Sequence, residues 1–260
     1  MEFTIIVGLG RSGLGAARLL HHQGQTVVVL ESGTGPDQAS CAVKLQAEGI
    51  RVELGIPLEI NSFEPWRSDL TAVVIGPGIP WDHPTLEILR QWGVQVRGEI
   101  ELAWDALNEI PWVGITGTNG KTTVTHLLSH VLNHAGIRAP MGGNMGVSAA
   151  EMALKIKTGD MAKPDWLVME LSSYQIEAAP TLAPNIGIWT TLTPDHLERH
   201  GTLEAYRAIK RGLLERSSKA IFNGDDSDLN AHRTSLKRGI WVKAASPCPE
   251  DEPTDFWIDD

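Results

Sequence analysis

In the stretch Val113-Gly-Ile-Thr-Gly-Thr-Asn-Gly-Lys-Thr-Thr123, a lysine and two hydroxyls follow a glycine-rich turn, a set of groups suited to holding a polyphosphate. Gly117 and Gly120 let backbone N–H groups turn inward, and a helix beginning at Lys121 would aim its positive end at the same point. Lys121 could then reach the β- and γ-phosphates of a nucleoside triphosphate, and the Thr122 hydroxyl could hold a magnesium ion bridging them. Gly117, Thr118, Asn119, Gly120, Lys121, Thr122 and Thr123 form the candidate phosphate seat. The pattern is a variant, because Ile115 stands where the usual phosphate loop has its first glycine and the glycines fall at Gly114 and Gly117 instead. A glycine-rich turn followed by an ordinary helix-start lysine is the competing reading.

Other polar groups fall where a parallel sheet would deliver them to the same edge. Glu170 follows the apolar run Trp166-Leu-Val-Met169, as a magnesium ligand must be delivered, although a helix-cap acid would look the same. His196 sits in Thr193-Pro-Asp-His-Leu-Glu-Arg-His200, after the apolar run from Ile186 to Thr190. Lys210 lies in a helical stretch from Leu203 to Leu214, where a solvated surface lysine is the ordinary expectation. His126, His130 and His134 recur every four residues without a carboxylate or cysteine beside them, and they read as a partly exposed face of neutral imidazoles rather than a metal site.

Near the N-terminus, Gly8-Leu-Gly-Arg-Ser-Gly13 matches the dinucleotide fingerprint G-x-G-x-x-G, and Glu31 ends the next apolar run where such folds meet a ribose hydroxyl. The same turn holds any diphosphate, so NAD and a UDP-sugar both remain open. Arg11, Ser12, Glu31 and the second turn Gly76-Pro77-Gly78 are candidate ligand contacts. On these residues alone, a nicotinamide oxidoreductase fused to a nucleotide-binding domain and a non-catalytic nucleotide-binding module both stand as readings.

These side chains need a scaffold of alternating strands and helices. Short apolar runs at Phe3–Val7, Thr26–Leu30, Ala72–Ile75, Trp112–Ile115, Trp166–Met169, Ile186–Thr190 and Ala220–Phe222 predict strands, with helical patterns between them. The fold class is α/β: a Rossmann-like parallel-sheet domain over residues 1–98, then a P-loop-type α/β domain over residues 99–260 that stops incomplete. Residues Ser246–Asp260 read as a loop entering a final strand. The 260-residue chain carries a formal net charge of -10 and two cysteines, Cys41 and Cys248, without metal-type spacing. Nucleic-acid binding and membrane insertion are disfavoured, and a reducing, cytoplasmic setting is expected.

Gly114-Ile-Thr-Gly-Thr-Asn-Gly-Lys-Thr-Thr123, Gly142-Gly-Asn144, Glu170-Leu-Ser-Ser-Tyr-Gln-Ile176, Asp195-His-Leu-Glu-Arg-His200 and Tyr206-Arg-Ala-Ile-Lys210 together resemble the successive motifs of the Mur ligases. The turns at Gly8–Gly15 and Gly76–Ile79 resemble the D-glutamate-adding branch. The resemblance implies an ATP-dependent ligase that joins D-glutamate to UDP-N-acetylmuramoyl-L-alanine through an acyl phosphate. It also implies ATP, two magnesium ions (Mg2+), and a carbamate on Lys210 that turns a cation into an oxygen ligand. Lys121, Glu170, His196 and Lys210 would be catalytic, and Thr122, Glu170, His196 and Lys210 would serve the metals. Asn144 would contact the muramoyl-alanine part, and Arg11, Ser12, Glu31 and Gly76–Gly78 the uridine diphosphate. Family members continue into a third, amino-acid-binding domain, so these 260 residues alone are expected to be inactive; separately, a monomer is expected. Thr191 and Glu198 depart from the family's common Asn and Asp, and neither is given a role.

Overall fold

The computed structural model describes residues 3–244 and 255–257. The chain opens β1 (Phe3–Val7), α1 (Arg11–His22), β2 (Thr26–Glu31), α2 (Pro36–Ala47), β3 (Arg51–Leu54), β4 (Leu70–Ile75), α3 (Pro84–Gln91), β5 (Gln95–Gly98) and α4 (Glu99–Leu107). It continues β6 (Trp112–Thr116), α5 (Lys121–His134), β7 (Met141–Gly143), α6 (Ala149–Thr158), β8 (Leu167–Glu170), α7 (Ser173–Glu177) and β9 (Ile186–Trp189). The last elements are α8 (Leu197–His200), α9 (Leu203–Arg216), β10 (Lys219–Asn223), α10 (Ser227–Ala231), β11 (Ile240–Lys243) and β12 (Phe256–Trp257). The expected final strand appears as β12, whereas the loop expected before it, with Cys248, lies outside the described residues.

Packing divides the chain into two compact units: Met1–Leu107 with Val147–Lys163 and Ala178–Pro180, and the remainder. The first unit therefore takes in α4 and α6 as well as the opening sheet. That sheet is parallel, in the order β3-β2-β1-β4-β5. Its apolar strand residues Ile5, Val28, Leu30 and Val73 pack with Phe63, Leu86 and Leu89 in one core. Each side chain of this size is worth about 1.5–3 kcal/mol when buried.

The second unit is built on a seven-stranded parallel sheet, ordered β12-β11-β10-β9-β6-β8-β7. Val113, Ile115 and Val168 form its core with Ala139, covered by Val124, Leu128 and Leu132 of α5. β6 lies between β9 and β8, so consecutive strands fall on opposite sides of it, and a crevice opens beyond its carboxyl end. In the first sheet, β1 lies between β2 and β4 in the same manner.

Helix capping distinguishes the two crevice helices from several others. Ser148, Thr202 and Asp226 cap α6, α9 and α10 with side-chain oxygens. α1 and α5 begin at Gly10 and Gly120 with no side-chain cap. The first-turn N–H groups, which no helix can satisfy internally, are thus left facing the crevices. No helix among the described residues is long and apolar enough to cross a membrane.

Candidate functional site

The turn after β6 folds tightly enough to exclude side chains. Gly117 has φ 149°, and a Cβ there would lie 2.0 Å from Thr190 Oγ1, so only glycine fits. The loop after β9 laces this turn in place: Thr190 Oγ1 donates to the Asn119 carbonyl at 2.6 Å, and Thr191 Oγ1 accepts from Asn119 N–H at 2.8 Å. Thr118 N–H donates to the Thr191 carbonyl, and the Thr118 hydroxyl donates to the Thr193 carbonyl at 3.1 Å. Lys121 Nζ curls over the turn and donates to the carbonyls of Gly117 and Thr118, both at 2.8 Å. Thr123 is exposed in the first turn of α5.

Glu170 ends β8 with its residue 1 % exposed. A buried carboxylate must be hydrogen-bonded, and here the Thr122 hydroxyl donates to Oε2 and Asn144 Nδ2 to Oε1, each at 2.8 Å. The Asn144 backbone N–H also donates to the Glu170 carbonyl, fixing the chain after β7 against β8. Thr122, Glu170 and Asn144 thus form one continuous polar line. The side chain of Asn144, expected to face a ligand, gives an amide N–H to Glu170. Hydroxyl and carboxylate oxygens suit a hard cation such as magnesium, so Thr122 and Glu170 fit that ion by donor type.

Lys210 is 1 % exposed on α9, contrary to the ordinary expectation for a lysine. Its Nζ donates to the Gly117 carbonyl at 3.1 Å and to Thr116 Oγ1 at 3.3 Å, and it lies 4.4 Å from the centre of the Tyr206 ring. Gly117 O is therefore shared by Lys121 and Lys210. Burial, then the positive charge of Lys121, pushes Lys210 down to about 7, while Asp195 opposes the shift. Burial also lowers Lys121, against the pull of Glu170 and Asp195.

His196 is exposed and adopts φ 53°, a left-handed conformation found at no other non-glycine position among the described residues. Such geometry costs on the order of 1–3 kcal/mol and persists only where surroundings impose it. The imidazole lies 3.4 Å from Asp195 and 3.7 Å from Glu198, with ring contacts to Tyr174 and Tyr206. It thus shares the Tyr206 ring with Lys210. Among the described residues no three His, Cys, Asp or Glu side chains gather as a metal set. The His126–His130–His134 row is exposed on α5, more fully than the partial exposure expected.

The sequence patterns include Thr116, Asp195 and Tyr206 in their motifs and Thr190 at a strand end but assign none of them a role. Tyr206 precedes Lys210 by one helical turn, and that spacing alone places the two on one face. Its hydroxyl lies 3.4 Å from Thr118 Oγ1, joining α9 to the phosphate turn.

In the first unit, a cavity of about 320 Å3 opens between the turns after β1 and β4, lined by Gly8, Arg11, Ser12, Gly76, Pro77 and Gly78 among others. A Cβ on Gly13 would lie 2.0 Å from the Gly8 carbonyl, which keeps α1 pressed on its own turn. Glu31 accepts from Leu9 N–H and Gly33 N–H, each at 2.7 Å, and so braces the glycine turn from β2.

Residues 115–246 match the Mur ligase middle domain and residues 2–98 the Mur ligase MurD-like N-terminal domain. The UDP-N-acetylmuramoylalanine--D-glutamate ligase of Synechococcus sp. (strain CC9902) is 84% identical over all 260 residues, and that of Parasynechococcus marenigrum (strain WH8102) is 65% identical over 258. The chain spans 56% of the length of each of these curated relatives. Among solved structures, the UDP-N-acetylmuramate:L-alanyl-gamma-D-glutamyl-meso-diaminopimelate ligase from Neisseria meningitides has the same fold at TM-score 0.61 and 18% identity, covering 96% of this chain and 82% of that one. A murein peptide ligase from Psychrobacter arcticus superposes at TM-score 0.57 and 16% identity, covering 94% of this chain and 54% of its own. Two parallel-sheet units with glycine turns at their crevices, together with both family matches, establish that the chain belongs to the Mur ligase family.

Proposed function

We propose that these residues serve an ATP-dependent ligase that adds D-glutamate to UDP-N-acetylmuramoyl-L-alanine in the cytoplasm, during peptidoglycan precursor synthesis. The observation that carries this reading is the Thr122–Glu170–Asn144 hydrogen-bonded line at the mouth of the phosphate turn. It brings a hydroxyl and a buried carboxylate to the place where a triphosphate would lie.

A carboxylate is a poor electrophile at neutral pH, so the acceptor must first be phosphorylated, with its carboxylate oxygen attacking the γ-phosphorus and ADP leaving. The amine of D-glutamate then attacks the acyl carbon, and phosphate departs from the tetrahedral adduct. Lys121 and the uncapped first turn of α5 bind the phosphates. Asn144 holds the Glu170 carboxylate in orientation. Thr122 and Glu170 would hold one magnesium, with His196 and Lys210 serving a second. Magnesium there supplies neutralisation of the charge that accumulates between phosphate and carboxylate oxygens. Losing one preorganised contact of this kind costs about 2.7–4 kcal/mol in the transition state.

Lys210 supports a carbamate by its setting. A lysine pushed to about 7 is substantially an uncharged amine at neutral pH, and only the uncharged amine can attack carbon dioxide. Arg11, Ser12 and Gly76–Gly78, which line the first-unit cavity, would seat the uridine diphosphate, with Glu31 near the uridine. The active protein is proposed to be a monomer.

The test is incorporation of radiolabelled D-glutamate by the complete gene product. ATP-dependent product is expected, and absence of product from folded protein that binds the acceptor would refute the reading. For the 260 residues alone, the expectation is acceptor binding, weakened ATP affinity and no ligation. Sustained phosphate release dependent on both substrates would contradict it.

A further inference from the structure

Glu99 begins α4 with the residue 3 % exposed, and nothing in the proposed chemistry uses it. Its carboxyl oxygens face the start of α6: the Ala150 N–H donates to Oε1 at 2.5 Å, and the Ala149 N–H and the Ser148 hydroxyl also bond to the carboxyl. The remaining partner is the Ser12 hydroxyl, on the first turn of α1. Ser12 also lines the cavity between the two glycine turns. Ser12 therefore both bonds the buried carboxyl and lines the space where a diphosphate would sit.

A serine hydroxyl has a single proton to give. When Glu99 is ionised, it can only accept, so Ser12 must point its proton inward and presents only lone pairs to the cavity. Those lone pairs repel a phosphate oxygen. When Glu99 is a neutral acid, its carbonyl oxygen still accepts from the Ala150 N–H, while its own O–H can donate to Ser12 Oγ. The Ser12 proton is then free to donate into the cavity.

We propose that Glu99 is a positioning residue for diphosphate recognition: its neutral form turns the Ser12 hydroxyl outward as a donor, so that binding the diphosphate draws one proton from solvent onto the Glu99 carboxyl. This rests on the proposed seat for the UDP group. Burial, the largest influence on Glu99, raises its carboxyl to about 7 despite the donors around it, so both forms are populated at neutral pH. The charged groups on neighbouring elements are largely engaged elsewhere. Arg97 on β5 bonds to Glu101 and Asp105 of α4, Lys155 pairs with Glu151 on α6, Arg18 of α1 pairs with Glu48, and Glu31 is held by Leu9 and Gly33. Arg11, beside Ser12, is exposed.

The experiment is calorimetric titration of the 260-residue chain with UDP-N-acetylmuramoyl-L-alanine at pH 7, in buffers of different ionisation enthalpy. This ligand's diphosphate diester does not titrate near neutrality. Uptake of roughly half a proton per ligand is expected at pH 7, and the dissociation constant should rise about tenfold from pH 6 to pH 8. Glu99→Gln, a permanent neutral donor, should bind with no proton uptake and a flat pH profile. Ser12→Ala should bind more weakly and also lose the uptake, which provides a second variant should Glu99→Gln fold poorly. Binding by the unaltered chain without proton uptake, or unchanged uptake in Glu99→Gln or Ser12→Ala, would overturn the inference. Absence of any binding by the folded chain would instead overturn the seat itself, and this inference with it.

Discussion

Replacing Glu99 by glutamine should make the chain more stable at alkaline pH, although it removes hydrogen-bonding charge from a helix N-terminus. The carboxyl is raised from its ordinary value of 4.5 to about 7, with burial the first cause and the bonds from Ala150, Ser148, Ser12 and Ala149 opposing it. A raised carboxyl pKa means that the folded state holds the proton more tightly than the unfolded state. The stabilisation is complete below about pH 4.5 and is lost as pH rises through about 7. At about 1.36 kcal/mol for each pH unit of displacement, the group removes about 3 kcal/mol of folding free energy by pH 8. Glutamine keeps the Oε1 acceptor for Ala150 N–H and cannot ionise. The stability of Glu99→Gln relative to the parent should therefore improve by about 3 kcal/mol between pH 4.5 and pH 8. Urea denaturation at a series of pH values, followed by tryptophan fluorescence, measures that difference. A difference constant across the range would refute the reasoning, because it would mean that the buried carboxyl titrates alike in folded and unfolded chains.

The site yields further expectations. Thr122→Ala removes one donor from Glu170 and should cost about 1 kcal/mol of stability while abolishing magnesium-dependent ATP binding, read by denaturation and calorimetry. Gly117→Ala sets a Cβ against Thr190 Oγ1 at a left-handed φ, and should cost about 3 kcal/mol and the ATP affinity together, read by thermal melting and nucleotide titration. Tyr206→Phe keeps the ring beside Lys210 and should cost about 1 kcal/mol, whereas Tyr206→Ala empties a buried ring site and should cost about 4 kcal/mol, a contrast measurable in the same melts.

The residues that could be read before the structure are those whose neighbours in sequence are also their neighbours in space. The strand from Trp112, the turn at Gly117–Gly120 and the helix from Lys121 form one local unit, so their spacing identified it. The buried strands Phe3–Val7 and Leu167–Glu170 announced themselves as apolar runs. Arg51–Leu54, Gln95–Gly98 and Met141–Gly143 did not, because each is an edge strand of three or four residues with charged or glycine positions, paired on one side only. The same limit applies to side chains. Nothing near Lys210 in sequence reveals that α9 carries its amine under the Gly117 carbonyl 93 residues away, or that Asn144 binds Glu170 across 26 residues. Glu99 reads as an ordinary helix-start acid until α6 is found to place its N-terminus against it, 51 residues on.

The central claim is that the phosphate turn and the Glu170 line activate an acceptor carboxylate by phosphoryl transfer. The direct test labels that carboxylate of UDP-N-acetylmuramoyl-L-alanine with oxygen-18 and analyses the phosphate released by the complete gene product during ligation with ATP and D-glutamate. Acyl phosphate formation leaves one carboxylate oxygen on phosphorus, so the account predicts one labelled oxygen in the phosphate for each amide formed, and loss of both products in Glu170→Ala. Amide formation accompanied by unlabelled phosphate would contradict it.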